Sequence, residues 1–277
     1  MQREVDFIKF NPTQNMTILV KTDHPTEEYK HIAATLMAYD HVYAEQVGFI
    51  EKPRKRGTAA YLQMAGGEFC GNACLALAAL VASENGLTGN GSTEIRLETS
   101  GIEHFVSCQV TRRQEGYACQ LAMPIPNKIE QKTVMFEGDE LNLVFVRYSE
   151  FFHIVIEVDQ FDQQVRTKAQ ALAKLLGVTI GANLIGILLY KPHSSEMAPL
   201  IYVPSLDSMV WERGCGSGTA SLGAYLSWKN HAAIAEPIKQ PGGMIHVNAA
   251  WENEQVTALA IEATVEIVAR GKAFIAV

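Results

Sequence analysis

A mixed α and β protein built from two related lobes is what the sequence predicts, and three observations carry that expectation. Short apolar blocks, alternating or continuous and bounded by glycine or charged residues, recur along the chain and read as strands. Segments with helical periodicity lie between them. A motif is also repeated: EFCGNACLALAAL begins at Glu68 and RGCGSGTASLGAYL at Arg213. The alignment pairs Cys70 with Cys215, Gly71 with Gly216 and Leu77 with Leu222, at a spacing of 145 residues.

Taken in chain order, Thr26-Glu27-Glu28 reads as an N-cap followed by acids, opening a helix to about Tyr39. The basic stretch Lys52 to Gly57 is bracketed by proline and glycine and reads as a solvated turn. Thr58 to Met64 reads as a strand leading to the first Cys-Gly, after which small and apolar residues predict a buried helix. Ile95 to Thr99 and Glu103 to Thr111 read as strands, and Cys108 and Cys119 as small strand residues. The charged run Arg112 to Glu115 with Gly116 marks the expected lobe boundary, giving residues 1–116 with 263–277, and 117–262. In the second lobe, Ile154 to Val158 reads as a strand, Asp162 to Leu176 as a helix stopped by Gly177, and Leu200 to Val203 as the strand before the second motif. Ala263 to Val277 reads as strand, Arg270-Gly271 turn, strand, returning to the first lobe.

The chain has 277 residues, enough for one large core or two moderate ones, and its 48% hydrophobic and 19% charged residues suit an ordered globular enzyme. A net charge of −7 argues against a nucleic-acid partner, which calls for a basic surface. The longest apolar run, Ala73 to Ala82, falls short of the roughly 18–20 residues that cross a bilayer. The start, Met1 to Asp6, carries early acids and no apolar core, so a cytoplasmic protein is expected. Five cysteines without scaffold spacing predict reduced thiols. Cys74, four residues after Cys70, reads as a packed helix residue, and no further ligands accompany the pair, so no metal is expected.

A Cys-Gly at a helix start is chemically distinctive. The first turn presents backbone N–H groups without intrahelical acceptors and a partial positive charge, which favours thiolate. The N–H groups of Gly71-Asn72 and Gly216-Ser217 could hold a carboxylate between them. Inverting a carbon next to a carboxylate takes a base on one face and an acid on the other, and thiolate and thiol are two states of one group. Duplicated Cys-Gly motifs therefore point to Cys70 and Cys215 as an acid/base pair acting on an amino acid, with no cofactor.

Further motifs extend the pattern: Phe10-Asn11-Pro12-Thr13-Gln14-Asn15-Met16-Thr17, Glu45-Gln46-Val47-Gly48-Phe49-Ile50-Glu51, Glu68-Phe69-Cys70-Gly71-Asn72-Ala73, Trp211-Glu212, Cys215-Gly216-Ser217-Gly218-Thr219, and Gln240-Pro241-Gly242-Gly243. Over nearly its whole length the chain resembles the diaminopimelate epimerase-like fold family, and within it the cofactor-independent histidine racemases of staphylopine-type metallophore biosynthesis. The resemblance implies an α/β (α+β) fold of two pseudo-symmetric lobes, each a mixed, mostly antiparallel sheet wrapped around a central helix. It implies catalysis by Cys70 and Cys215, and substrate contacts from Asn15, Glu45, Gly71, Asn72, His153, Glu212, Gly216 and Ser217. Glu45 would pair with the substrate imidazole, while His153 and Glu212 would orient the amino group or tune a thiol. It further implies racemisation of L-histidine for an opine-type metallophore, and a homodimer.

Two departures from the epimerase pattern are the short step from Glu68 to Cys70 and the absence of a longer insert between Arg213-Gly214 and Cys215. Diaminopimelate epimerase, where an arginine such as Arg213 receives the distal carboxylate, and proline or hydroxyproline racemase stand as alternatives. So does an amino-acid-binding or thiol redox-sensing protein.

Overall fold

The structure, a computed structural model, describes residues 2–149, 151–180, 182, 184–204 and 207–276. Met1 and Val277, the outermost residues of the expected first lobe, lie outside these. Two units emerge: Met1–Ala122 with Glu262–Val277, and Met123–Ile261.

In the first unit the order is β1 (Gln2–Pro12), β2 (Thr17–Val20), α1 (Tyr29–Met37), β3 (Gln46–Glu51), β4 (Ala60–Met64), α2 (Gly71–Glu84), β5 (Ser92–Thr99), β6 (Val106–Arg112) and β7 (Tyr117–Ala122). Adjacent strands pair antiparallel except β2 with β3 and β4 with β5. A parallel pair needs a crossover connection, and α1 and α2 are those crossovers. The C-terminal stretch of a long strand, numbered β16 below, runs antiparallel to β1 and also borders β7, so the sheet closes around α2. The sequence of α2 is apolar on every side because strands surround it: it touches all of β1 to β7. The outer face of the sheet is covered by α1, which packs Ile32, Ala33 and Leu36 against Val5, Ile18 and Phe49.

The second unit repeats this plan. It runs β8 (Lys128–Phe136), β9 (Asp139–Arg147), β10 (Phe152–Glu157), α3 (Gln163–Ile180), β11 (Ile185–Lys191), β12 (Glu196–Val203), β13 (Ser208–Trp211), α4 (Gly216–Asn230), β14 (Ile234–Gln240), β15 (Gly243–Glu252) and the start of β16 (Gln255–Ala276), whose residues from Glu262 on belong to the first unit. Again two pairs are parallel, β10 with β11 across α3 and β12 with β14 across α4. Buried Leu172 and Ala173 of α3 pack on Ile187 and Leu200, while α4 lies against β9, β10, β11, β14 and β15. Each unit thus carries one helix inside its sheet and one outside, the mixed, mostly antiparallel fold that the sequence predicts.

Four local expectations are corrected. Thr26 does not cap an α-helix: Thr26–Glu28 forms a 3-10 turn, and α1 starts at Tyr29 without a side-chain cap. Gly177 does not end α3, which continues to Ile180. A Cβ there would lie 2.7 Å from the Tyr202 ring and 3.2 Å from Pro204, so this glycine serves close packing rather than termination. Arg270-Gly271 is not a turn, since β16 continues through it in register with Phe7 and Ile8. The irregularity lies earlier, where Lys9 faces Ala269 and Phe10 faces Ile267, leaving Val268 as the extra residue of a bulge. Gly116 lies in the turn of the β6–β7 hairpin, within the first unit.

The basic turn is tied to the protein: the Arg54 and Lys55 backbone N–H groups donate to Glu98 Oε1 at 2.8 and 2.7 Å, and the Arg54 guanidinium covers the Tyr61 ring at 3.8 Å. No helix among the described residues is long and apolar enough to cross a membrane.

Candidate active site

Cys70 and Cys215 occupy the same place in the two units. Each is the N-cap of the inner helix, with φ −130°, ψ 107° at Cys70 and φ −117°, ψ 107° at Cys215. Each sulfur accepts a hydrogen bond from the N–H three residues on, Ala73 in one case and Gly218 in the other, both at 3.3 Å. Sulfur here does what Ser, Thr, Asp or Asn usually does at a cap, and it does so where the helix end favours negative charge. All five cysteines are buried.

In the first unit the Cys70 thiol donates to Gln46 Oε1. Gln46 opens β3 beside Glu45, whose backbone N–H donates to Met16 O at 2.8 Å. Asn15 is fully buried after the left-handed turn at Thr13 and Gln14, and its carbonyl accepts from Thr17 Oγ1 at 3.0 Å. Asn72 is buried in the first turn of α2. Ser100 supports the approach to Cys70, accepting from Met64 N–H at 3.0 Å and donating to Glu68 O at 2.8 Å. Asn15, Glu45, Gly71, Asn72 and Cys70 all belong to this unit.

The second unit holds Cys215, Gly216, Ser217, Glu212 and His153. Ser217 Oγ lies 3.7 Å from the Cys215 sulfur. Burial pushes the Cys215 thiol well up from its usual value, and the nearby Glu212 carboxylate adds to the shift, against smaller opposing effects of the Gly218 N–H and the Ser217 hydroxyl. Cys215 therefore rests as a neutral thiol. Glu212 is itself buried, its backbone N–H donating to Pro199 O at 3.0 Å. Arg213 is exposed, and its guanidinium donates to Pro241 O at 3.3 Å.

The electrostatic part of that shift is testable. Glu212→Gln removes a negative charge beside the sulfur, so the thiol pKa falls and the alkylation curve moves to lower pH. Iodoacetamide labelling of the Cys215 peptide, followed by mass spectrometry, should run several-fold faster at pH 8 than in the parent. Unchanged or slower labelling contradicts the coupling.

His153 lies inside the second unit rather than at the start of α4. It is fully buried on β10, with Nδ1 2.8 Å from Ser221 Oγ, and Ser221 in turn lies 2.9 Å from the Tyr148 hydroxyl. Burial lowers its pKa to about 3, so the ring is neutral. Four residues that the motif reading did not assign to the site hold this architecture: Gln46, Ser100, Thr219 and Gln240. Gln46, Thr219 and Gln240 do stand inside quoted motifs, the one signal that pointed to them. No group of three or more His, Cys, Asp or Glu side chains suited to a metal ion occurs among the described residues.

Residues 4–274 match the family model described as the histidine racemase CntK N-terminal domain. The chain belongs to the histidine racemase family. It is similar to the histidine racemase of Staphylococcus aureus, at 32% identity over 99% of this chain and 100% of that one. It is also similar to the histidine racemase of Fusobacterium nucleatum subsp. nucleatum, at 30% identity over 98% and 97%. Membership makes the protein an isomerase of the racemase type. Among solved structures, a hydroxyproline epimerase from Agrobacterium vitis superposes with a TM-score of 0.70 at 10% identity, covering 98% of this chain and 93% of that chain. A methylitaconate-delta-isomerase gives 0.63 at 10% identity, over 99% and 96%. Those two act on different molecules, so the likeness carries the fold and leaves the substrate to the residues of the site.

Proposed function

We propose that this protein interconverts L- and D-histidine without an external cofactor, using Cys70 and Cys215 as an acid/base pair on opposite faces of Cα. The observation that carries this reading is the matched pair of sulfur N-caps, alike in dihedral angles and in the N–H group that each accepts. Packing alone would accept alanine or serine at both positions. The histidine racemase relatives support the substrate.

In this reading a thiolate takes the α-proton, forming an S–H bond and leaving the C–H electron pair on Cα. That charge spreads into the carboxylate, which the first-turn N–H groups of Gly71-Asn72 and Gly216-Ser217 hold. The opposite thiol then gives its proton to the other face of Cα and becomes a thiolate, so proton and charge balance across the turnover. A substrate ammonium beside Glu212 would offset that carboxylate's share of the upward shift at Cys215. Asn15 would bond the substrate's polar groups, and Glu45 would pair with an imidazole N–H. His153 would act through Ser221 on α4. The resemblance also supports a cytoplasmic homodimer that supplies D-histidine to opine-type metallophore synthesis.

The test is incubation with L-histidine in deuterated water, without pyridoxal phosphate or added metal, followed by chiral chromatography and mass spectrometry. D-Histidine carrying one deuterium at Cα is expected. Exchange of diaminopimelate or proline with inert histidine would transfer the reading to another substrate. No exchange on any amino acid would end it in favour of a binding protein.

A further inference from the structure

Gln240 closes a ring of hydrogen bonds around Cys215. Its Oε1 accepts from the Cys215 backbone N–H at 2.7 Å, and its Nε2 donates to Thr219 Oγ1 at 2.8 Å. Thr219 Oγ1 donates to Cys215 O at 2.6 Å, and the Thr219 N–H donates to the same carbonyl at 2.9 Å. Both peptide groups flanking the Cys215 Cα are thereby held by two side chains. Gln240 ends β14, a strand beside α4, and is 9% exposed, so water competes little for these bonds. Fixing those peptides fixes the direction of Cα–Cβ, and with it the place of the sulfur against the Gly218 N–H.

The first unit is built differently at the matched position. Cys74 stands where the repeat places Thr219, and its buried thiol bonds to Thr99, with burial pushing it up to about 12. A hydroxyl that grips the cap carbonyl is thus a feature of the Cys215 side.

We propose that Gln240, acting with Thr219, is a positioning residue for Cys215: the pair holds the sulfur where the helix N–H groups stabilise its thiolate. As it bears on catalysis, the inference rests on the racemase reading above, but its main readout does not. Without the amide, the buried Cys215 N–H loses its acceptor and the cap can rotate away from Gly218. A glutamate in its place keeps an acceptor for that N–H, but draws the Thr219 hydroxyl from the cap carbonyl and adds a negative charge near the sulfur.

The experiment compares the parent with Gln240→Leu, Gln240→Glu, Thr219→Val and Thr219→Ser, labelling with iodoacetamide across pH and quantifying the Cys215 and Cys70 peptides separately. In the first three variants the Cys215 curve should move to higher pH while the Cys70 curve stays in place. Thr219→Ser, which keeps the hydroxyl, should return the Cys215 curve to that of the parent. Turnover of histidine in the first three should fall about tenfold or more in kcat with a smaller change in KM, as expected for a misplaced acid/base group. Equal displacement of both curves, or an unmoved Cys215 curve in a folded Gln240→Glu or Thr219→Val protein, overturns the proposal. If Cys215 variants remain active, the racemase reading falls while the labelling result still decides the brace.

Discussion

Serine at position 70 or at position 215 is expected to reduce histidine racemisation by about 10³-fold or more, while leaving the helical and strand content and the unfolding midpoint close to those of the parent. Serine is among the preferred N-cap residues, so the bonds from Ala73 N–H and Gly218 N–H at 3.3 Å have an oxygen to receive them and the helices keep their starts. The hydroxyl is far too weak an acid to serve as a neutral-pH base, and inversion needs both faces served. Steady-state polarimetry with each enantiomer, alongside circular dichroism and urea unfolding, separates the two effects. A serine variant that turns over within about tenfold of the parent would show that its cysteine is not half of the pair.

The largest effect on stability is expected at Gly101. Its φ is +77°, and a Cβ there would overlap the Phe69 nitrogen, lying also 2.6 Å from the Glu68 carbonyl carbon and 2.9 Å from Phe69 Cα. These are backbone atoms of the segment leading into Cys70, so no rotamer change relieves the contact. Gly101→Ala should cost about 3 kcal/mol or more, combining the left-handed conformation with overpacking. Gly89, at φ +62° with open space around it, isolates the conformational part, and Gly89→Ala should cost only about 1 kcal/mol. Urea midpoints measure both. Activity lost per folded molecule in Gly101→Ala, and kept in Gly89→Ala, would show that the strain reaches Cys70. Equal costs would mean that the 68–70 backbone yields freely.

Some elements were legible because their causes are local. A helix cap involves a side chain and an N–H three residues on, so the Cys-Gly motifs announced α2 and α4, and the all-round apolar sequence announced that α2 is buried. Other local signals misled because packing overrode them. Gly177 has the look of a stop, yet α3 runs three residues past it and the Tyr202 ring leaves no room for a Cβ there. Arg270-Gly271 has the look of a turn, yet β1 pairs straight through it. The resemblance gives His153 a role at the site, and it is the fold that decides its contacts, packing the side chain against Ser221 where β10 meets α4.

By itself the sequence determined the duplication, the two cysteines at helix starts and the mixed α and β class, because repetition, capping and periodicity are written in neighbouring residues. Only the tertiary structure decided which distant residues touch those cysteines. Gln46 reaches Cys70 and Gln240 reaches Cys215 from strands 24 and 25 residues away, and burial raises the Cys215 thiol. Such effects depend on distance through space and on the exclusion of solvent, which chain order does not encode until the sheet has folded around its helix.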